Sequence, residues 1–366
     1  MHDDGALFVI NRNHHIGLEA FVASARFIVD GKPQKPFTVS FPDVSPGDST
    51  ELGDLTARVR EMAGSGSDVR LDISVVRRRQ QTTVICEQIT LKADTKRIIA
   101  DVRKKAVRGL KPGRMALPEI KATFFRAPTD NDKSFGNWLA KDWTRNNIAS
   151  PEISVLKEMT AENPSCPDRP MTVREEKYSF KEGHIIVTTT VKPLTDGSYD
   201  VEQQYVCHGV LPELPRMGMQ IILPRDFSKL EYYGRGPWDT FPDRWRSTRV
   251  GWWKSSVTDE YAHYPVPQDC GNHRETSALT LSSAKGKAIT VTASGEPFSF
   301  SALPFTAQEI SSVRHDHDLP QSGHTVLCID TAVLGIGNSS CGPGVLKRHS
   351  IDKFKTHTLR LNIVVR

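Results

Sequence analysis

Along this chain the apolar residues fall in short runs between turn-forming residues rather than in long stripes. The last run is the clearest: Leu359, Leu361, Ile363 and Val365 alternate with Arg360, Asn362 and Val364, the two-residue period of a half-buried strand. The stretches HIIVTTTVKPL at 184–194, YDVEQQYVC at 199–207, KAITVTA at 287–293 and TVLCIDTAVLGI at 325–336 have the same character. Twenty-five Gly and 23 Pro punctuate the sequence, so the pattern predicts strands without intervening long helices, an all-β fold built from sandwiches.

The first hundred residues read as a separate unit. LFVINRN, AFVASARFIVDGKP and VRLDISVV predict strands, DGK a turn and AGSGSD at 63–68 a loop, while LTARVREMA at 55–63 has helical propensity. The expectation is a small Ig-like β-sandwich over residues 1–95 and a large antiparallel β-domain over 96–366, entered through a basic connector at about 93–118.

Bulk composition narrows the function classes. The chain has 366 residues, 38% hydrophobic and 25% charged, with a formal charge of +5, values of a folded protein and not of a disordered one. The clusters Arg77–Arg79 and Lys96–Arg108 have no aromatic residues interleaved, so they are expected on solvated strand and turn faces, and no nucleic-acid partner is implied. No segment approaches the roughly 18 apolar residues of a membrane span. The start MHDDGALFVINRN lacks the positive residues of a secretory signal, and a cytoplasmic location is expected. Six cysteines are scattered without a C-x-x-C pair, so neither a zinc site nor a disulfide framework is predicted.

Four stretches carry candidate chemistry. In RAPTDND, 126–132, an extended backbone would put Asp130 and Asp132 on one face with Cα atoms about 6.6 Å apart, near the roughly 5–5.5 Å between the carboxyls of a retaining glycosidase. The competing reading is a turn, since two acids on one short strand cannot grip a sugar from opposite faces and Asp and Asn cap nearby amides. The segment 231–256 holds Trp238, Trp245, Trp252 and Trp253 beside Tyr232, Tyr233 and Phe241. These rings either stack on sugar or fill a core or interface, and Asp239, Asp243 and Arg244 could bond hydroxyls. DCGNHRET, 269–276, offers His273 and Glu275 as an acid and base for sugar-ring opening, or as ordinary loop residues. LGIGNSSCGPG, 334–344, is a strand ending in a glycine-rich loop without a phosphate-binding pattern, whose glycines let the backbone turn close to another surface.

Together, RAPTDND, YYGRGPWDTFPDR at 232–244, YPVPQDCGNHRET at 264–276 and LGIGNSSCGPG, in this order, resemble the C-terminal third of the large β-galactosidases of glycoside hydrolase family 2, and the separate small chain of its heterodimeric members. The resemblance implies a terminal supersandwich similar to galactose mutarotases, preceded by the last Ig-like domain. It also implies that the catalytic glutamates lie on a (β/α)₈ barrel that has no counterpart here, so that the chain alone is inactive. Its job would then be to complete a galactoside pocket for hydrolysis of terminal, lactose-type β-D-galactosides, with the barrel chain or a missing N-terminal region as partner.

In the family's best-known bacterial form a tryptophan in the last loop stacks on the sugar; here that position is Cys341, which leaves Asn338, Ser339 and Ser340 to face the pocket. The resemblance places the galactose-pocket metal ligands in the missing parts, so no metal or cofactor is assigned to this chain. It makes Arg126, Asp130, Asn131 and Asp132 a structural motif that organises a turn and an interdomain contact. It also implies a more aromatic segment than RRRQQTTVICEQ at 77–88. The alternative is a freestanding carbohydrate-binding or mutarotase-like protein using the aromatic cluster with His273 and Glu275.

Overall fold

A computed structural model describes residues 6–110, 116–133 and 139–366. Part of the predicted connector, residues 111–115, and Trp138 lie outside the described residues, as does the very start of the chain. The chain divides into two compact units, Met1–Ala100 and Asp101–Arg366.

The first unit pairs Phe8–Ile10 with Ser49–Glu51 and builds a second antiparallel sheet around Phe21–Val29, which is flanked by Lys32–Pro33, Phe37–Ser40 and Asp68–Arg77. Thr82–Ala93, from the segment expected to be aromatic, closes that sheet as its edge. The helical propensity near residue 55 is realised as Gly53–Met62, which sends Leu55 and Val59 into a core with Leu7, Phe27 and Leu71. Burial of that face, more than propensity, holds so short a helix.

Basic charge misled the reading of Lys96–Val107, which is a helix and not a strand or turn. Ile98, Val102 and Ala106 recur every four residues between good helix formers, and the Asp94 carboxylate accepts the Lys96 amide at 3.0 Å at its start.

Among the described residues the second unit holds a nine-stranded and a five-stranded sheet, antiparallel throughout. The alternating C-terminal run is His357–Val365, near the middle of the larger sheet between Ala288–Ala293 and Tyr199–Gly209. The smaller sheet runs in the order His273–Thr276, Phe298–Leu303, His324–Val333, Arg216–Pro224, Lys121–Thr123. Aromatic rings join the two layers: Phe124 meets Tyr178 at 5.3 Å between centroids, and Tyr232 meets Phe300 at 5.1 Å. The all-β class with antiparallel sheets is what the strand pattern predicted. No helix of the described residues is long and apolar enough to cross a membrane, and all six cysteines are free thiols.

Candidate functional site

Two of the four sequence motifs grip the loop formed by a third, and the remaining one braces them. Arg126 follows the short strand Lys121–Thr123 and is fully buried together with Asp132. Its Nη2 donates to both Asp132 carboxylate oxygens at 3.0 and 3.1 Å and to the Gly335 carbonyl at 3.1 Å, while Nη1 donates to the Leu334 carbonyl at 2.8 Å. The guanidinium lies 5.6 Å from the Trp143 ring centroid and 5.7 Å from that of Phe241, so its faces meet π-systems while its two Nη atoms meet oxygens.

Of the two readings of Asp130 and Asp132, the structure has the turn and not the extended backbone. Asp130–Lys133 forms a single helical turn, with the Thr129 hydroxyl and amide both donating to Asp132 at 2.9 and 2.8 Å. The two acids diverge, Asp130 to the surface and Asp132 into the ion pair, and cannot serve as acid and nucleophile. Asn131 is the third grip: its Nδ2 donates to the Gly337 carbonyl at 2.7 Å and its Oδ1 accepts the Ser340 amide at 3.0 Å and hydroxyl at 2.6 Å. The motif does organise a turn, and the loop carbonyls that Arg126 and Asn131 bond lie within the second unit.

Asp243 holds the same loop from the other side. Its carboxylate accepts the Ile336 amide at 3.1 Å and the Gly337 amide at 2.8 Å, so its observed partners are backbone. Gly335 is needed for this approach, since a Cβ there would lie 2.6 Å from Asp243 Oδ2. Gly337 has φ +63° and its Cβ would lie 2.9 Å from the Val345 amide nitrogen; both constraints exclude other residues. The loop then closes on itself through Asn338, whose amide donates to the Pro343 carbonyl and whose carbonyl accepts the Cys341 and Gly342 amides. Asn338, Ser340 and Cys341 are exposed at its tip, whereas Ser339 is buried with its hydroxyl unpartnered.

The remaining motifs brace this arrangement. The Asp269 amide donates to the Ala127 carbonyl at 3.2 Å, and Gln268 exchanges hydrogen bonds with Asp130 at 3.0 and 3.2 Å. Thr240 and Asn272 clasp through two bonds of 2.6 Å. Arg244 pairs with Asp239 at 2.6 Å over the Phe241 ring.

His273 and Glu275 do not meet. His273 is fully buried, with Nδ1 3.0 Å from the Tyr232 hydroxyl and Nε2 2.6 Å from Glu260, while Glu275 turns to the surface and grips Arg235 at 2.8 and 2.9 Å. A register shift between His273 and Thr276, with Glu275 at φ +52°, breaks the alternation that would have put both side chains on one face. The acid–base pair needed for ring opening is therefore absent from these two residues.

Of the tryptophan cluster, Trp238 is 68% exposed, Trp245 and Trp252 are exposed less, and Trp253 is half-buried with its Nε1 on the Gly234 carbonyl. Trp245 stacks on the Arg235 guanidinium at 4.6 Å.

Residues 96–363 match the family described as "Beta galactosidase small chain". The chain belongs to that family. Among relatives, the "Beta-galactosidase small subunit" of Latilactobacillus sakei is 31% identical over 272 residues, covering 63% of this chain and 80% of its own length. The "Beta-galactosidase" of Actinobacillus pleuropneumoniae is 28% identical over 229 residues, or 62% of this chain. This small-chain family member spans 22% of that longer relative and the same share of one from Staphylococcus xylosus. Among solved structures, a galactose mutarotase-like protein from Lactobacillus casei ATCC 334 is 9% identical, covers 82% of this chain and 97% of its own, and aligns with a TM-score of 0.27.

Several residues that matter to the small-chain site went unread in the sequence. Gln268 and Asp269 lie inside a stretch singled out and Trp143 lies outside all of them, and their partners are main-chain or charged groups far along the chain. Arg216 and Asp330, a buried ion pair at 2.8 Å beneath the site, sit in strands where a lone charge between apolar residues was the available signal.

Proposed function

We propose that this chain completes the galactoside pocket of a β-galactosidase whose bond-cleaving carboxylates are carried by a larger catalytic part, as a separate partner chain or a preceding region. The loop 335–341 is the element it presents to the sugar, with Asn338, Ser340 and Cys341 outermost. The reading is carried by one observation: three side chains, Arg126 and Asn131 from one segment and Asp243 from another, converge to hold the main chain of this one loop. A loop immobilised through its backbone is suited to binding with little further loss of entropy. The substrates are terminal β-D-galactosides of the lactose type, cleaved by the two-carboxylate retaining route on the other part. No metal or cofactor of its own is proposed for the chain.

The test is hydrolysis of a chromogenic β-galactoside by the chain alone, by a separately produced catalytic part, and by their mixture. Activity restored in the mixture, and reduced when Asp243→Ala is used, is the expected result. Full activity of the catalytic part without this chain, or hydrolysis by the chain alone, would overturn the proposal.

A further inference from the structure

Beside the loop clamp lies a cleft of about 280 Å³ whose walls include Asp130, Phe241, Arg244, Tyr264 and Gln268, with Asp269 at its lining. Asp269 is 8% exposed, and its carboxylate meets its neighbours through charge alone, without a hydrogen bond from any described residue. Both cations that act on it are committed elsewhere: Arg216 to Asp330 and Ser301, Arg126 to Asp132 and the loop carbonyls. Buried polar groups are nearly always satisfied, so a nine-tenths-buried carboxylate that lines a cleft without a hydrogen bond marks a place for a hydroxyl, which can donate to it.

The charge around the cleft decides the class of ligand. Arg126, Arg216 and Arg244 disfavour a cation, and Asp269 with Asp130 disfavours an anion. The volume lies just below the roughly 300–1,000 Å³ of sites for drug-sized molecules, which leaves room for about one sugar ring. We propose that this cleft is a monosaccharide subsite in which the Asp269 carboxylate accepts a hydrogen bond from a ring hydroxyl. The site is separate from the loop tip, and only the choice of galactose as its ligand rests on the function proposed above.

The state of Asp269 provides a handle. Burial pushes its carboxyl up to about 6, the Arg216 and Arg126 guanidiniums pulling it back and Asp330 and Asp132 adding to the rise. Asp130, Arg244 and Tyr264 on the cleft wall are the other titratable groups that face the ligand. Ionised acceptor falls from nearly all at pH 7.5 to about one tenth at pH 5, so affinity is expected to drop about tenfold.

The experiment is titration of galactose, and of myo-inositol as a second hydroxyl-rich probe, into the full purified chain, followed by saturation-transfer NMR. Saturable galactose binding at pH 7.5 that weakens about tenfold both at pH 5 and in Asp269→Asn is the expected result, with tryptophan fluorescence confirming the variant's fold. Absence of saturable galactose binding, or equal affinity in folded Asp269→Asn, overturns the proposal. Should Asp269→Asn not fold, Gln268→Ala at the rim and the pH series decide: loss in both supports the subsite and loss in neither overturns it. Hydrolysis by the mixed parts reads the loop and not the cleft, so failure of either proposal is visible without the other.

Discussion

Replacing Asp132 by alanine is the sharpest test of the clamp. Both members of the Arg126–Asp132 pair are fully buried, and Asp132→Ala leaves a guanidinium with only the Leu334 and Gly335 carbonyls and two aromatic faces. Breaking a buried pair by removing one partner costs about 3–5 kcal/mol, because the surviving charge is uncompensated. For a unit of this size each kcal/mol moves the melting temperature by about 2–4 °C, so a fall between about 6 and 20 °C is expected. All six tryptophans lie beyond residue 100, so their fluorescence reports the second unit alone and the first does not blur the transition. Arg126→Met strands less charge, since Asp132 keeps the Thr129 amide and hydroxyl, and should cost less than Asp132→Ala. The double variant Arg126→Met/Asp132→Ala should then be more stable than the summed singles by about 2 kcal/mol. A shift below about 2 °C for Asp132→Ala, or additivity in the double variant, would refute the reasoning.

Three further outcomes are expected. Asp243→Ala removes the acceptor of two amides in a partly exposed loop. It should raise the rate of proteolysis within 338–344 about tenfold, equivalent to about 1.4 kcal/mol of local opening, while the global urea midpoint hardly moves. Asp269 has its folded pKa raised to about 6, so its contribution to stability is fully present below about pH 4 and is lost as pH rises through 6. Asp269→Asn, which stays neutral, should therefore match the wild type near pH 4 and exceed it by about 3 kcal/mol at pH 8, as read by denaturation at the two pH values. His273→Leu strands both Tyr232 and the Glu260 carboxylate, and should lower stability by about 3 kcal/mol in the same fluorescence assay.

The strands were legible because each buries one face against the opposite layer, which writes a period of two into the sequence. His357–Val365 is the plainest instance, with alternation continuing until the strand becomes buried on both faces near its end. Lys96–Val107 escaped notice because its apolar stripe is thin and its charges dominate the eye. The site was legible as motifs but not as an arrangement. Asp243 and Asn131 bind main-chain atoms roughly 90 and 200 residues away, and no side-chain pattern records which distant amide an acid will meet. Spacing left two readings open at His273 and Glu275, where a bulge undoes the rule that residues two apart share a face. Asp130 and Asp132 diverge for a related reason: Thr129 draws Asp132 back into a turn, and a turn separates what a strand would align.

The clamp touches the loop almost entirely through carbonyls and amides of residues 334–337 and 340. Side chains at 338 and 341 take no part in any of these bonds, and their replacement leaves the anchoring intact. The loop is in this sense a mount with an exchangeable tip: evolution, or an engineer, can vary the residue at 341 from cysteine to something flat or polar without rebuilding its support. Variation can then accumulate at two or three tip positions without disturbing the bonds that hold the loop beneath them.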